Sequence, residues 1–520
     1  MAQFTLTFIL FCILTFSLLS NSVISQTPLD SAEQESVYRV LDSINSDIPW
    51  RTLFPDDLCI SAPHGVVCDY FSDSDASTTS FTTHITELSF GFVSDYSPNP
   101  PCNANSTLDP SLLSPLSHLK KLFFYKCFSE RKIPFPDFSS LSIQNSILEE
   151  LVFIENPALF GSLSGKLNNL TSLRRLVLTG TNVSGTIPGG FGELVNLEQL
   201  TLSRNKFVGE ISANIFRNLI KLKILDLSEN GFKGIVPESI GNMTELLKID
   251  LSFNEFSGKI PENLKGLKNL EFLDLGYNHF ANCGVPLFLG EMSSLKEVYL
   301  SGNFLGGQIP EIWESLGGIL GIGLSRTGLI GNIPASMGVH LRNVCYLGLD
   351  NNKLEGVVPD AFGALEFVSE LNLENNILSG RVPFSSFFAS KLGKKLKLEG
   401  NSDLCIDAQS ISAKASSTLG KLKLCNRTEI PKVALLYRGG PGSDALDRDR
   451  VDTTLIDSFD FFLLDFFGMS GSFPDVDSPS WICRFDLTLS DESFEWFRLC
   501  LDLVDPSFFF GESFAPSNEV

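Results

Sequence analysis

Along this chain of 520 residues, aromatic and charged side chains recur beside a repeated L-x-x-L-x-L frame. Residues 222 to 245, LKILDLSENGFKGIVPESIGNMTE, carry it as Leu222, Leu225 and Leu227, followed by Asn230, Gly234 and Val236-Pro237. Alternate side chains of a strand face opposite ways, so the residues around L-x-L make a row on the face away from the leucines. That row reads Arg175, Val177, Gln199, Thr201 and Arg204, then Asp226, Asp250, Phe253, Phe272, Asp274 and Tyr277. Glu297, Tyr299, Arg326, Tyr346, Asp350, Glu370, Asn372 and Glu374 complete it. Aromatics beside charges suit recognition of another molecule. Asp226, Asp250 and Asp274 belong to the repeat's own LDLS-type default. Arg204, Phe253, Phe272, Tyr277, Tyr299 and Arg326 are the candidate ligand contacts. An acidic face favours a basic peptide or partner loop, with an attraction that salt weakens.

Other chemistries find little support. The five histidines, at 64, 84, 118, 279 and 340, are scattered, without H-E-x-x-H and without a serine elbow. Arg438 to Gly442, RGGPG, is glycine-rich but lacks the Lys-Ser/Thr of a phosphate loop. No H-R-D or D-F-G signature is present, so the chain does not signal by phosphorylation itself. A net charge of −22 without a basic patch argues against nucleic acid. The expectation is a binding protein, not an enzyme, with no cofactor and no metal.

The elements that position the row follow from the period. Asn156, Thr181, Asn205, Asn230, Asn254, Asn278, Asn303, Thr327, Asn352, Asn376 and Asn401 hold one register, at steps of 24 or 25. Such a period with L-x-x-L-x-L-x-x-N marks a leucine-rich repeat solenoid, an α/β repeat fold in which each turn buries its apolar face against the next. The chain turns sharply after each strand, and an Asn amide supplies both donors and an acceptor to the buried backbone there. Thr181 and Thr327 offer only a hydroxyl and should make weaker rungs. G-x-I/V-P segments follow, as at Gly185 with Ile187-Pro188 and Gly258 with Ile260-Pro261. Ile211-Ser212 breaks that pattern.

The ends differ from the middle. Residues 4 to 19 are apolar and uncharged, and Val23-Ile24-Ser25 fits a cleavage site, so 1–25 reads as a signal peptide. A cap spans 26–82, with a helix over Glu33 to Ile44 that puts Val37, Val40, Leu41 and Ile44 on one side. Cys59 and Cys68 lie in it; a metal there would need more ligands than His64. Irregular first repeats occupy 83–147, with strands around Ile85, Leu88 and Phe90 and around Leu122 and Phe124. Cys127 stands where the ladder Asn belongs, and a Cys102–Cys127 disulfide would pin the long loop between these strands. Regular repeats fill 148–400, with Cys283 and Cys345 as buried or free thiols. A second cap spans 401–430, and 431–520 is an acidic, Phe-rich tail, disordered or non-ancestral. From residue 441 on, the tail holds 17 Asp and Glu against 4 Lys and Arg, and 13 Phe. Sequons at Asn105, Asn169, Asn182, Asn242 and Asn426 are candidate glycan sites.

The C-x8-C after Trp50, the early loop with Cys102 and Cys127, and the LDLSEN-type repeats resemble plant leucine-rich repeat receptor-like proteins. Within them, residues 1 to 430 are similar to the Piriformospora indica-insensitive type, related to the Too Many Mouths receptor-like proteins. The resemblance implies a plant-type horseshoe or superhelix with disulfide caps at Cys59–Cys68 and Cys405–Cys425. It also implies a place at the plasma membrane's outer face or in the apoplast. There the family binds a peptide or microbial protein, and a receptor kinase or co-receptor ectodomain supplies the output, here in response to a beneficial root-colonising fungus. The family's C-terminal anchor has no counterpart among the apolar runs of the tail. The alternative is a secreted inhibitor of microbial wall-degrading enzymes, of the polygalacturonase-inhibitor kind.

Overall fold

The computed structural model describes residues 28–72, 81–91, 99–141, 147–407 and 422–425. The proposed signal peptide, Asn426 and the tail lie outside them. The chain divides into Met1–Lys423 and Leu424–Val520, and only Leu424 and Cys425 of the second unit are described.

Among the described residues, fourteen strands form one sheet, from Val66–Ser72 to Leu396–Lys397. The first pair, Val66–Ser72 with Phe81–Phe90, is antiparallel, and the pairings from Phe81–Phe90 onward are parallel, each strand against the next repeat. The leucines of the frame point inward and are buried: Leu222, Leu225 and Leu227 have no exposed surface. Truncating one to Ala would cost about 2–5 kcal/mol. Opposite the sheet, Pro-led 3-10 turns such as Glu238–Asn242 and Glu262–Gly266 close each repeat. Proline's fixed φ presets the entry to these turns. After Ile211-Ser212, where the proline is missing, the chain makes plain turns instead.

The ladder is as the sequence required. Asn254 Nδ2 donates to Leu227 O of the preceding repeat and to Leu251 O and Ser252 O of its own, while its Oδ1 accepts from Phe232 N. Thr181 sends its hydroxyl to Asn205 Oδ1, and Thr327 sends its own to Leu324 O. Neither of these bonds reaches the preceding turn. The second sheet, built on the G-x-I/V-P side, is interrupted over an interval that contains Thr327. It runs from Ile133–Pro134 to His279–Phe280, and another starts at Ile330–Asn332. Only isolated bridges, Ala281 with Phe304 and Gln308 with Ile330, cross the interval.

A helix over Ser31–Ile44, capped by Asp30, covers the open end of the solenoid with Val37, Val40, Leu41 and Ile44 buried. Trp50 Nε1 donates to Asn45 O beneath it. Cys59–Cys68 and Cys102–Cys127 are both disulfides. The first leaves no thiolate for a metal, and the second ties the early loop to the ladder position that Cys127 occupies. Cys405 and Cys425 are each in a disulfide, and Cys283 is a free, half-buried thiol. Cys345 corrects the sequence reading: it is disulfide-bonded, not a thiol, although its place inside a repeat gave no sign of a partner.

Candidate recognition surface

Strand register brings Lys248, Phe272 and Glu297 side by side, and beside them Asp226, Asp250, Asp274 and Tyr299. Each aspartate first serves its own turn. Asp226 Oδ1 accepts from Ser228 N and Oγ, Asp250 Oδ1 from Ser252 N and Oγ, and Asp274 Oδ1 from Gly276 N alone. This is why LDLS recurs. It leaves the second oxygens of Asp226 and Asp250 on one cation, with the Asp274 carboxylate in the neighbouring repeat.

That cation is Lys248, half-buried, 3.2 Å from Asp226 Oδ2 and 3.8 Å from Asp250 Oδ2, with Phe272 under its ammonium at 5.2 Å. Burial alone would lower its pKa, but Asp226 and Asp250 outweigh that and raise it, so it stays charged. One cation cannot neutralise three acids. Burial and the Asp226 carboxylate push Asp250 up to about 6. Burial and Asp250 push Asp274, which has no serine hydroxyl to help it, well above the usual carboxylate range. Next in line, Tyr299 Oη donates to Glu297 Oε2 at 2.8 Å, and burial raises the phenol's pKa.

Beyond Tyr299 the row changes character. Gly321 and Gly323 occupy both outward positions of the strand Gly321–Gly323, so no side chain separates Tyr299 from Tyr346. Their ring centroids stand 6.2 Å apart. A Cβ on Gly321 would lie 2.5 Å from Tyr299 Oη, and one on Gly323 2.7 Å from Tyr299 Cδ1.

The six candidate contacts divide into two groups. Phe272 and Tyr299 lie on strands, as placed by the frame. Arg204, Phe253, Tyr277 and Arg326 lie in the turn just past the strand, each with left-handed backbone at φ between 50° and 56°. Gly180, Gly302 and Gly400 fill the same slot elsewhere. A side chain in that conformation is strained by about 1–2 kcal/mol, and such strain concentrates at functional sites. Phe253 and Tyr277 are about half exposed and stack at 4.3 Å. Arg204 is committed elsewhere: its guanidinium reaches over Gly180 to Glu155 Oε1 at 2.7 Å. Arg326 is exposed.

Sequence reasoning missed Lys248, which is the hub of the acid cluster, and Tyr346 as the partner of Tyr299. The Lys in LLKIDLS and the double glycine in GIGL were the available signals. Of the sequons, Asn105 and Asn242 are exposed, whereas Asn169 and Asn182 donate to Ser139 O and Pro157 O.

Comparison with known proteins agrees with this architecture. A family model for leucine-rich repeat regions matches residues 159–396. Piriformospora indica-insensitive protein 2 of Arabidopsis thaliana is 33% identical over 155 residues, covering 29% of this chain and 34% of that protein. Protein TOO MANY MOUTHS of the same plant is 34% identical over 142 residues, covering 27% and 26%. The matches therefore span about a third or less of these relatives. The ectodomain of the Arabidopsis receptor kinase HAESA, solved with an N-terminally extended IDA peptide hormone, superposes with a TM-score of 0.52 at 28% identity, over 58% of this chain and 49% of that one. Residues 159–396 are a leucine-rich repeat region, and the chain's similarity runs to plant receptor-like proteins.

Proposed function

We propose that this protein is a non-catalytic receptor-like ectodomain at the plant cell surface. Its concave strip from Asp226 to Tyr346 takes an extended peptide or protein segment bearing a Lys or Arg. A receptor kinase or co-receptor ectodomain, bound at the same time, supplies the output. The observation that carries this reading is the shortage of cations: Asp226 and Asp250 share Lys248, with Asp274 in the next repeat, beside the exposed Phe253–Tyr277 stack. An arriving cation completes the neutralisation, and the aromatic pair offers flat apolar area next to it. The HAESA ectodomain's peptide hormone supports the ligand class, and the name of Piriformospora indica-insensitive protein 2 supports a role in the response to a root-colonising fungus. No helix among the described residues is long and apolar enough to cross a membrane. The domain limits read from the sequence and the glycans at Asn105 and Asn242 belong to the same proposal.

The test is affinity capture from plant root membranes with the tagged full chain, at low and high salt. Recovery of a receptor kinase, with a cationic peptide that is released by salt, is the expected result. Recovery of a secreted microbial hydrolase instead would move the chain to the inhibitor class.

A further inference from the structure

Away from the concave strip, three metal-ligating side chains converge from distant parts of the sequence. Glu33 lies in the first turn of the cap helix Ser31–Ile44, His84 on the strand Phe81–Phe90, and His118 in the turn entering Lys121–Tyr125. One ligand atom of each lies within 4.8 Å of the other two. The Glu33 carboxylate is 4% exposed, which an anion tolerates only with firm partners. Its Oε2 accepts from Ile85 N at 3.1 Å, and its Oε1 sits 2.6 Å from His84 Nδ1. The imidazoles of His84 and His118 face each other at 3.8 Å, and Phe71 covers them at 5.7 and 4.5 Å. The Lys120 ammonium lies over Phe71, 4.0 Å from the Asp69 carboxylate.

A helical cap needs one carboxylate and one donor to hold a strand; two facing imidazoles on a buried carboxylate exceed that need. We propose that Glu33, His84 and His118 form a binding site for a divalent transition metal of the zinc class. Two imidazoles and one carboxylate are the donor set that borderline cations prefer, and magnesium and calcium avoid. Binding requires the imidazoles to turn and the widest donor separation, within 4.8 Å, to close by up to about 1.5 Å, toward the separation of ligands about 2.0–2.1 Å from zinc. Glu33 Oε2 stays on Ile85 N meanwhile and orients the carboxylate. A fourth position remains open to water or to a partner's side chain. The metal would tie residues 33, 84 and 118 together, beside the loop that Cys102–Cys127 already pins.

The experiment uses the full chain stripped with a chelator, then melted with and without zinc, with magnesium as control. Visible spectra are recorded in parallel after loading cobalt. Zinc at one hundred times its dissociation constant should raise Tm by about 3 °C. Cobalt should give ligand-field bands, and both signals should vanish in His118→Ala and persist in His279→Ala and His340→Ala. Glu33→Gln removes a buried anion and could fail to fold, so half-buried His118 carries the decision. Absence of both signals in the wild type, or bands that survive His118→Ala, would overturn the site.

Discussion

Tyr299 and Tyr346, two repeats apart, meet with ring centroids at 6.2 Å because the repeat between them presents only Gly321 and Gly323. Glu155 and Arg204 do the same at the edge of the sheet, pairing across Gly180. In a solenoid, neighbouring rungs normally set which side chains touch. A glycine rung lets contacts skip one, and so shapes the surface without changing the fold.

This gives a first prediction. Gly323→Ala would place a Cβ 2.7 Å from Tyr299 Cδ1, and the ring must move away. Because the strain is taken up by one side chain, stability should fall by no more than about 1–2 kcal/mol. Ligand affinity should fall further, by about fivefold or more, and the near-ultraviolet tyrosine circular dichroism should change. A titration and a melt of the same variant check this.

A second concerns pH. Asp250 sits at about 6 in the folded chain, above the usual aspartate value, so the folded state binds its proton more tightly than the unfolded one. Stability from this group therefore grows as pH falls from about 6 toward 4 and is lost as pH rises through 6. Asp250→Asn keeps the acceptor for Ser252 and removes the repulsion. It should stabilise the fold at pH 7 by about 1–3 kcal/mol and flatten the pH dependence of Tm. For a cationic ligand the sign reverses: affinity should weaken as pH drops below 6.

The Phe253–Tyr277 stack separates function from stability. Both residues hold left-handed backbone at φ of 52° and 50°, where glycine is at ease. Phe253→Gly relieves that strain but loses the stack, so Tm should shift by less than about 1 kcal/mol equivalent. Ligand affinity should drop by about tenfold, since exposed aromatic anchors carry disproportionate binding energy.

The ladder yields a fourth. Asn254→Ala strands Leu227 O and Phe232 N in the interior, at a cost of about 3 kcal/mol. Thr327→Asn should work the other way, adding a bond to the preceding turn and up to about 1 kcal/mol. Chemical denaturation of both variants measures the pair.

Much of this was legible in the residues. The step of 24 or 25 from Asn156 to Asn401 fixes the solenoid, because a period leaves few ways to bury the leucines. The Cys59–Cys68 disulfide near the start was legible through Trp50 and the cysteine spacing, and Thr327 through its missing amide. The acid cluster was half legible: LDLS explains each aspartate singly, whereas their common dependence on Lys248 arises only when register aligns three repeats. Likewise the left-handed slot of Phe253 and Tyr277 is hidden in sequence, since the aromatics mask a position that Gly302 would have advertised. The disulfide state of Cys345 had no signal at all.

The most direct test of the central claim is site-specific photocrosslinking. A photoreactive phenylalanine analogue at Phe253, in the full chain expressed in roots, samples the edge of the concave strip. The expected product is a crosslink to a Lys- or Arg-bearing peptide or protein segment, lost when Asp250 and Asp274 are both changed to Asn. A crosslink yield that is insensitive to those two substitutions, with the same partner captured equally from the convex 3-10 turns, would contradict it.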